Sequence, residues 1–146
     1  MVLKRCHFIG IGGIGMSGLA HLLIKDNCSV SGSDLAANDR VKALSAEGAA
    51  ISLGHSGSNI PDQASIVYTS MVTEKNPEFQ FAKEKNLPLL HRSDLLKLLM
   101  QGSKPLLIAG SHGKTTTTSL LSWVLEYCGM EPVSYTHLTL PTILRV

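Results

Sequence analysis

The sequence predicts an α/β fold: a Rossmann-like parallel sheet with helices on both faces, followed by the opening strand, loop and helix of a second unit. Three observations predict it. Short apolar runs alternate with stretches of helical periodicity between Cys6 and Met100. Two glycine-rich segments, Gly10 to Gly15 and Gly110 to Gly113, each follow an apolar run and open a helical one. The composition, 44% hydrophobic and 16% charged with 13 glycines, supports a buried core rather than a disordered or fibrous chain.

Cys6 to Ile11 reads as the first strand, because it is apolar and ends in glycines. Met16, Leu19, Leu22 and Leu23 then recur at helical spacing up to Asp26. Ser29 to Gly32 is a second strand, Asp39 to Glu47 a helix stopped by Gly48, and Ile51 to Leu53 a third strand. Ser65 to Thr69 is again of strand type; Pro77 suits the first position of a helix, and Pro88 to His91 returns to the sheet. Ser93 has the chemistry of an N-cap for a helix from Asp94 to Met100. Gln101 to Pro105 is a turn-rich break, so the domain boundary is placed near Ser103. Leu106 to Ala109 then starts a new strand. Leu121, Val124, Leu125 and Cys128 give the helix from about Lys114 one apolar face.

Bulk properties exclude several classes. A net charge of +2 with scattered basic residues lacks the footprint of a nucleic-acid binder, so no nucleic-acid partner is expected. No apolar run approaches the roughly 20 residues of a membrane span, so no membrane partner is expected either. Cys6, Cys28 and Cys128 are far apart and odd in number. They read as buried thiols in a reducing, cytoplasmic setting.

Gly10, Gly12 and Gly15 form G-x-G-x-x-G between a strand and a helix, the context in which that motif binds a diphosphate. Asp34, about 20 residues downstream at the end of the second strand, is placed to accept from a ribose. The alternative is a glycine turn needed only for close packing of strand against helix. The motif leaves open whether the ligand is a nicotinamide dinucleotide or a UDP-sugar. In the second segment, Gly110-Ser111-His112-Gly113-Lys114-Thr115-Thr116-Thr117, Ile108 stands where the general phosphate-loop pattern has its first glycine. The Gly-Lys-Thr core remains. Lysine supplies a point charge for phosphates, Thr115 a hydroxyl for Mg²⁺, and the loop amides a cradle.

With Ser31-Gly32-Ser33-Asp34 and His91-Arg92-Ser93-Asp94-Leu95-Leu96 between them, the two loops resemble the Mur ligase family, ATP-dependent amide-forming enzymes of peptidoglycan synthesis. The resemblance runs from about residue 6 to 132 and accounts for the shorter phosphate loop. It implies that residues 1–103 form a UDP-sugar-binding domain, in which Gly10, Gly12, Gly13 and Gly15 meet the diphosphate of UDP-N-acetylmuramate and Asp34 and His55 contact the nucleoside. It implies that residues 104–132 start a truncated ATPase domain, with Gly110, Ser111, His112, Gly113, Lys114, Thr115 and Thr116 binding ATP, Lys114 catalytic and Thr115 on Mg²⁺. Ser111 replaces the more usual threonine and keeps the hydroxyl. The implied chemistry is phosphorylation of the sugar-nucleotide carboxylate to an acyl phosphate, followed by attack of the L-alanine amine. A family member that recycles a murein tripeptide shares the ATP loop but differs in the first one. An NAD(P)-binding oxidoreductase domain is the rival outside the family, and it leaves the Lys114 loop unexplained.

Family members are several times longer, so the chain alone is expected to lack ligase activity. Residues 133–146 depart from the family pattern and look like translated sequencing adapter, hence a non-native tail. A third view is a non-functional piece whose strand from Leu106 to Ala109 lacks neighbours. His7 and His21 are expected to be structural or surface residues, and His112 to act through its amide. Arg92 is left facing either nucleotide or solvent. Trp123 is expected to pack against the central sheet.

Overall fold

The computed structural model describes residues 3–101, 104–130, 132–135 and 142–145. They divide into two compact units, Met1–Leu95 and Leu96–Val146. Ser103, where the sequence places the boundary, lies outside the described residues.

The first unit runs β1 (Arg5–Ile9), α1 (Ile14–Lys25), β2 (Ser29–Asp34), α2 (Asp39–Ala46), β3 (Ala50–Leu53), a 3₁₀ turn (Gly57–Asn59), β4 (Ser65–Tyr68), α3 (Pro77–Glu84) and β5 (Leu89–His91), and enters α4 (Arg92–Met100). The five strands are parallel in the order β3-β2-β1-β4-β5. This is the doubly wound α/β sheet the sequence predicts. Consecutive residues of β1, from Cys6 to Ile9, are at most 1% exposed, so both faces of the central strand are covered. On the face that α3 covers, Ile9, Ile60, Ala64, Ile66, Phe79 and Ala82 form one apolar cluster. Burying each of its large side chains contributes about 1.5–3 kcal/mol.

Strand order reverses between β1 and β4, the switch point beside which doubly wound sheets bind ligands. The loop after β1 holds the first glycine cluster. Local chemistry sets the helix ends nearby. Asn38 caps α2 by accepting from Val41 N–H, and Asn76 caps α3 by accepting from Glu78 and Phe79 N–H, with Pro77 following. Helix α4 begins at Arg92, so Ser93 lies inside its first turn rather than capping it. The Ser93 hydroxyl instead meets His91 Nδ1 at 2.7 Å.

The second unit contains β6 (Pro105–Ile108), α5 (Lys114–Tyr127), β7 (Val133–Tyr135) and β8 (Thr142–Arg145). Its sheet is antiparallel in the order β6-β8-β7. The strand expected to lack neighbours is therefore paired, with the segment expected to be a tail. Two other expectations fail here. Trp123 is 65% exposed and stacks on Tyr127 at 5.9 Å, and Cys128 is an exposed thiol while Cys6 and Cys28 are buried. Of the expected apolar stripe on α5, Leu121 and Leu125 are half-buried and Val124 is exposed. Among the described residues, no helix is long and apolar enough to cross a membrane.

Candidate functional site

The first glycine loop is anchored to β2 and α2. Gly10 turns the chain with φ +79°, a left-handed conformation that glycine adopts without a steric penalty. Gly10 and Ile11 N–H both donate to the Ser33 carbonyl at 2.9 Å. Gly12 N–H donates to Asp34 Oδ2 at 2.7 Å, and Gly13 N–H to the Gly10 carbonyl at 3.2 Å. The Gly12 carbonyl accepts from Arg40 Nε at 2.7 Å and Asn38 Nδ2 at 3.2 Å. A Cβ on Gly12 would stand 2.7 Å from Asn38 and Val41 side-chain atoms and 2.9 Å from Asp34 Oδ2. The amides of Gly10, Gly12 and Gly13, the glycines expected to meet a diphosphate, are thus engaged within the fold.

What remains open is the helix start itself. The first amides of a helix have no partner inside it, and those of Ile14 and Gly15 have none among the described residues. Arg92 completes this corner. A Cβ on Gly15 would lie 2.6 Å from Arg92 Nη1, so the guanidinium rests against the glycine that opens α1. Of the two placements left open for Arg92, the structure shows it beside the first loop. Asp34, expected to meet a ribose, uses Oδ2 on Gly12 and Oδ1 on Ala36 N–H at 3.2 Å. Its first task is to fix the loop, with lone pairs left over.

Beside Ser33 lies a polar cluster that sequence reasoning missed. Glu78, at the second position of α3, is fully buried. Its Oε2 accepts from Ser33 Oγ at 2.5 Å and lies 3.2 Å from His55 Nδ1. Its Oε1 accepts from Asn59 Nδ2 at 2.9 Å and Ser56 N–H at 3.3 Å. His7, fully buried on β1, places Nε2 3.6 Å from Oε1, within ion-pair range but too far for a hydrogen bond, while Ser31 Oγ meets its Nδ1 at 2.9 Å. Burial pushes the Glu78 carboxyl up, but the nearby His7, the Ser33 and Asn59 donors and the attraction of His7 outweigh it and hold the pKa at about 2. The positive end of α3 acts in the same direction. The glutamate was hidden in Asn76-Pro77-Glu78, which reads simply as a well-formed helix start; its cross-sheet partners are 45 and 71 positions away in sequence, at Ser33 and His7.

The second loop has the opposite character. Gly110 and Gly113 have φ +156° and +77°, and Gly113 is the N-cap of α5. The first backbone bond after the turn runs from Thr117 N–H to the Gly113 carbonyl, at 2.9 Å. The amides from Ser111 to Thr116 have no partner among the described residues, and most of these residues are exposed. Lys114 Nζ folds back on the Gly110 carbonyl at 2.6 Å and lies 3.5 Å from that of Ser111. Ser111 Oγ and His112 Nδ1 touch each other at 3.3 Å. Thr115 and Thr116 stand on the exposed first turn of α5. Consecutive unpaired amides, a helix N-terminus and a lysine fit a polyphosphate. Among the described residues no cluster of three acidic, histidine or cysteine side chains could hold a metal.

Known proteins resemble this chain in sequence and in fold. The pattern of the Mur ligase family, catalytic domain, matches residues 5–104. The chain is 45% identical over 130 residues to the UDP-N-acetylmuramate–L-alanine ligase of Aquifex aeolicus, covering 89% of this chain and 29% of that protein. The crystal structure of the UDP-N-acetylmuramate-alanine ligase of Thermotoga maritima superposes with a TM-score of 0.77 at 29% identity, over 88% of this chain and 32% of that one. A murein peptide ligase from Psychrobacter arcticus gives 0.75 at 25% identity, over 93% and 30%. The chain thus spans under a third of the length of each of these three relatives.

Proposed function

This chain belongs to the Mur ligase family, and on that premise we propose that it is the nucleotide-handling N-terminal part of an ATP-dependent ligase joining L-alanine to UDP-N-acetylmuramate. The observation that carries the reading is the open turn from Ser111 to Thr116, with its unpartnered amides and Lys114 at a helix start. A dinucleotide-binding oxidoreductase domain has no use for it.

Two sites follow. In the first, the diphosphate of UDP-N-acetylmuramate meets the Ile14 and Gly15 amides and the Arg92 guanidinium, while Gly10, Gly12 and Gly13 act by shaping the loop. Asp34 and His55 flank the nucleoside. In the second, the amides of Ser111, His112, Gly113, Lys114, Thr115 and Thr116 hold the ATP phosphates, and Thr115 with the phosphate oxygens holds Mg²⁺. Lys114 exchanges the Gly110 carbonyl for a phosphate oxygen, so its charge is kept at the loop before and after binding. Bound ATP supplies the phosphoryl group that activates the sugar-nucleotide carboxylate for amide formation. The chain's own contribution is to orient both anions and neutralise charge. In this reading residues 1–103 belong to the sugar-nucleotide domain and 104–132 to the ATP domain, with 133–146 carrying no function.

Parallel calorimetric titrations with UDP-N-acetylmuramate, NADH and Mg-ATP test the proposal. Binding of the sugar nucleotide and of Mg-ATP, each blind to NADH, is expected. Tight NADH binding without sugar-nucleotide binding would overturn it.

A further inference from the structure

The buried glutamate reaches the candidate nucleoside contact through a short relay whose direction the hydrogen bonds determine. Glu78 is ionised at neutral pH and so only accepts. Ser33 Oγ, 2.5 Å from Glu78 Oε2, must therefore donate to it. That leaves the Ser33 oxygen as the acceptor for its other neighbour, His55 Nδ1, at 2.8 Å. Glu78 Oε2 itself lies 3.2 Å from the same nitrogen and makes the same demand. His55 Nδ1 must carry the proton. In the neutral ring, Nε2 is then a bare acceptor, and it has no partner among the described residues.

The position of this acceptor is informative. His55 stands just beyond the C-terminal end of β3, 19% exposed, on the sheet edge where ligands of doubly wound folds bind. Its partner Ser33 is the residue whose carbonyl holds Gly10 and Ile11. The glycine loop and the histidine are thus set by one residue. We propose that Glu78 is a positioning residue for sugar-nucleotide binding: through Ser33 it fixes His55 as an outward-facing acceptor for an N–H or O–H donor of the nucleoside. This rests on the sugar-nucleotide reading above.

Glu78→Gln gives a directional test. The Oε1 site faces two donors, Asn59 Nδ2 and Ser56 N–H, so the new amide oxygen must sit there. The amide nitrogen then faces Ser33 and His55, and the relay runs backwards: it donates to Ser33, Ser33 donates to Nδ1, and Nε2 becomes the protonated nitrogen. ¹⁵N NMR of the His55 ring in the 146-residue chain reads this directly. The expected result is protonated Nδ1 and bare Nε2 in the wild type, reversed in Glu78→Gln, with UDP-N-acetylmuramate affinity down about tenfold because a donor now faces a donor. UDP methylated at uracil N3 and 2′-deoxy-UDP, each against UDP, identify which donor is read.

The wild-type spectrum decides the relay without any variant: a ring protonated at Nε2, or at both nitrogens at neutral pH, would overturn it. A reversed tautomer with unchanged affinity would overturn the role in binding. Failure of the wild type to bind UDP-N-acetylmuramate at all sinks the sugar-nucleotide reading instead, and the tautomer still judges the relay separately.

Discussion

Acidification should weaken the first unit through one carboxyl group. The Glu78 pKa is about 2 in the folded chain and returns to about 4.5 when the chain unfolds and its partners are lost. A lowered folded pKa contributes stability that is complete above the unfolded value and disappears as pH falls through the folded one. The window is therefore pH 4.5 down to 2, over which the unfolded chain binds the proton first. A difference of roughly 2.5 units corresponds to about 3–4 kcal/mol, at about 1.4 kcal/mol per unit. That is a large share of the 5–15 kcal/mol typical of a domain. Other carboxylates titrate over the same range, so the informative quantity is the difference between wild type and Glu78→Gln. Native-state hydrogen exchange at β1 and β2, between Cys6 and Ser33, measures the opening free energy of the sheet without interference from α5. The wild-type advantage should shrink by about 3 kcal/mol between pH 5 and pH 2. An advantage constant across that range would refute the reasoning that His7, Ser33 and Asn59 stabilise the anion.

Three further outcomes follow from the loops. Gly12→Ala should cost about 1–3 kcal/mol in urea denaturation, because the added methyl meets Asn38, Val41 and Asp34, and moving Asn38 loosens the α2 cap; a neutral effect would show that the loop can relax. Asp34→Ala should cost about 1–3 kcal/mol in the same assay by orphaning the Gly12 amide, with a weakening of sugar-nucleotide binding as the loop loses its tether. Lys114→Ala should reduce Mg-ATP affinity more than tenfold by calorimetry, through loss of a charge-assisted contact of roughly 1.5–3 kcal/mol, while leaving hydrogen exchange in β1 unchanged.

Much of the fold was legible because its signals are local. Gly48 and Pro77 punctuate helices, short apolar runs mark strands, and a glycine cluster between strand and helix has few alternative structures. The same locality made Ser93 look like a cap, although the helix starts one residue before it. Trp123 shows the limit on the packing side. A large aromatic residue in a helix beside a sheet suggests burial, but only the surrounding elements decide whether a surface exists to receive it.

The amino-acid sequence by itself determined the order of strands and helices as far as α5, the position of both glycine loops and the family, since each depends on residues close together in the chain. Tertiary structure decided which atoms of those loops remain available. The first loop turns its amides toward Ser33 and Asp34, the second leaves its amides open, and Glu78 becomes a buried anion joined to His55. The physical reason is that a hydrogen-bonding group has alternative partners, and the choice among them is made by chain segments brought together only when the sheet forms.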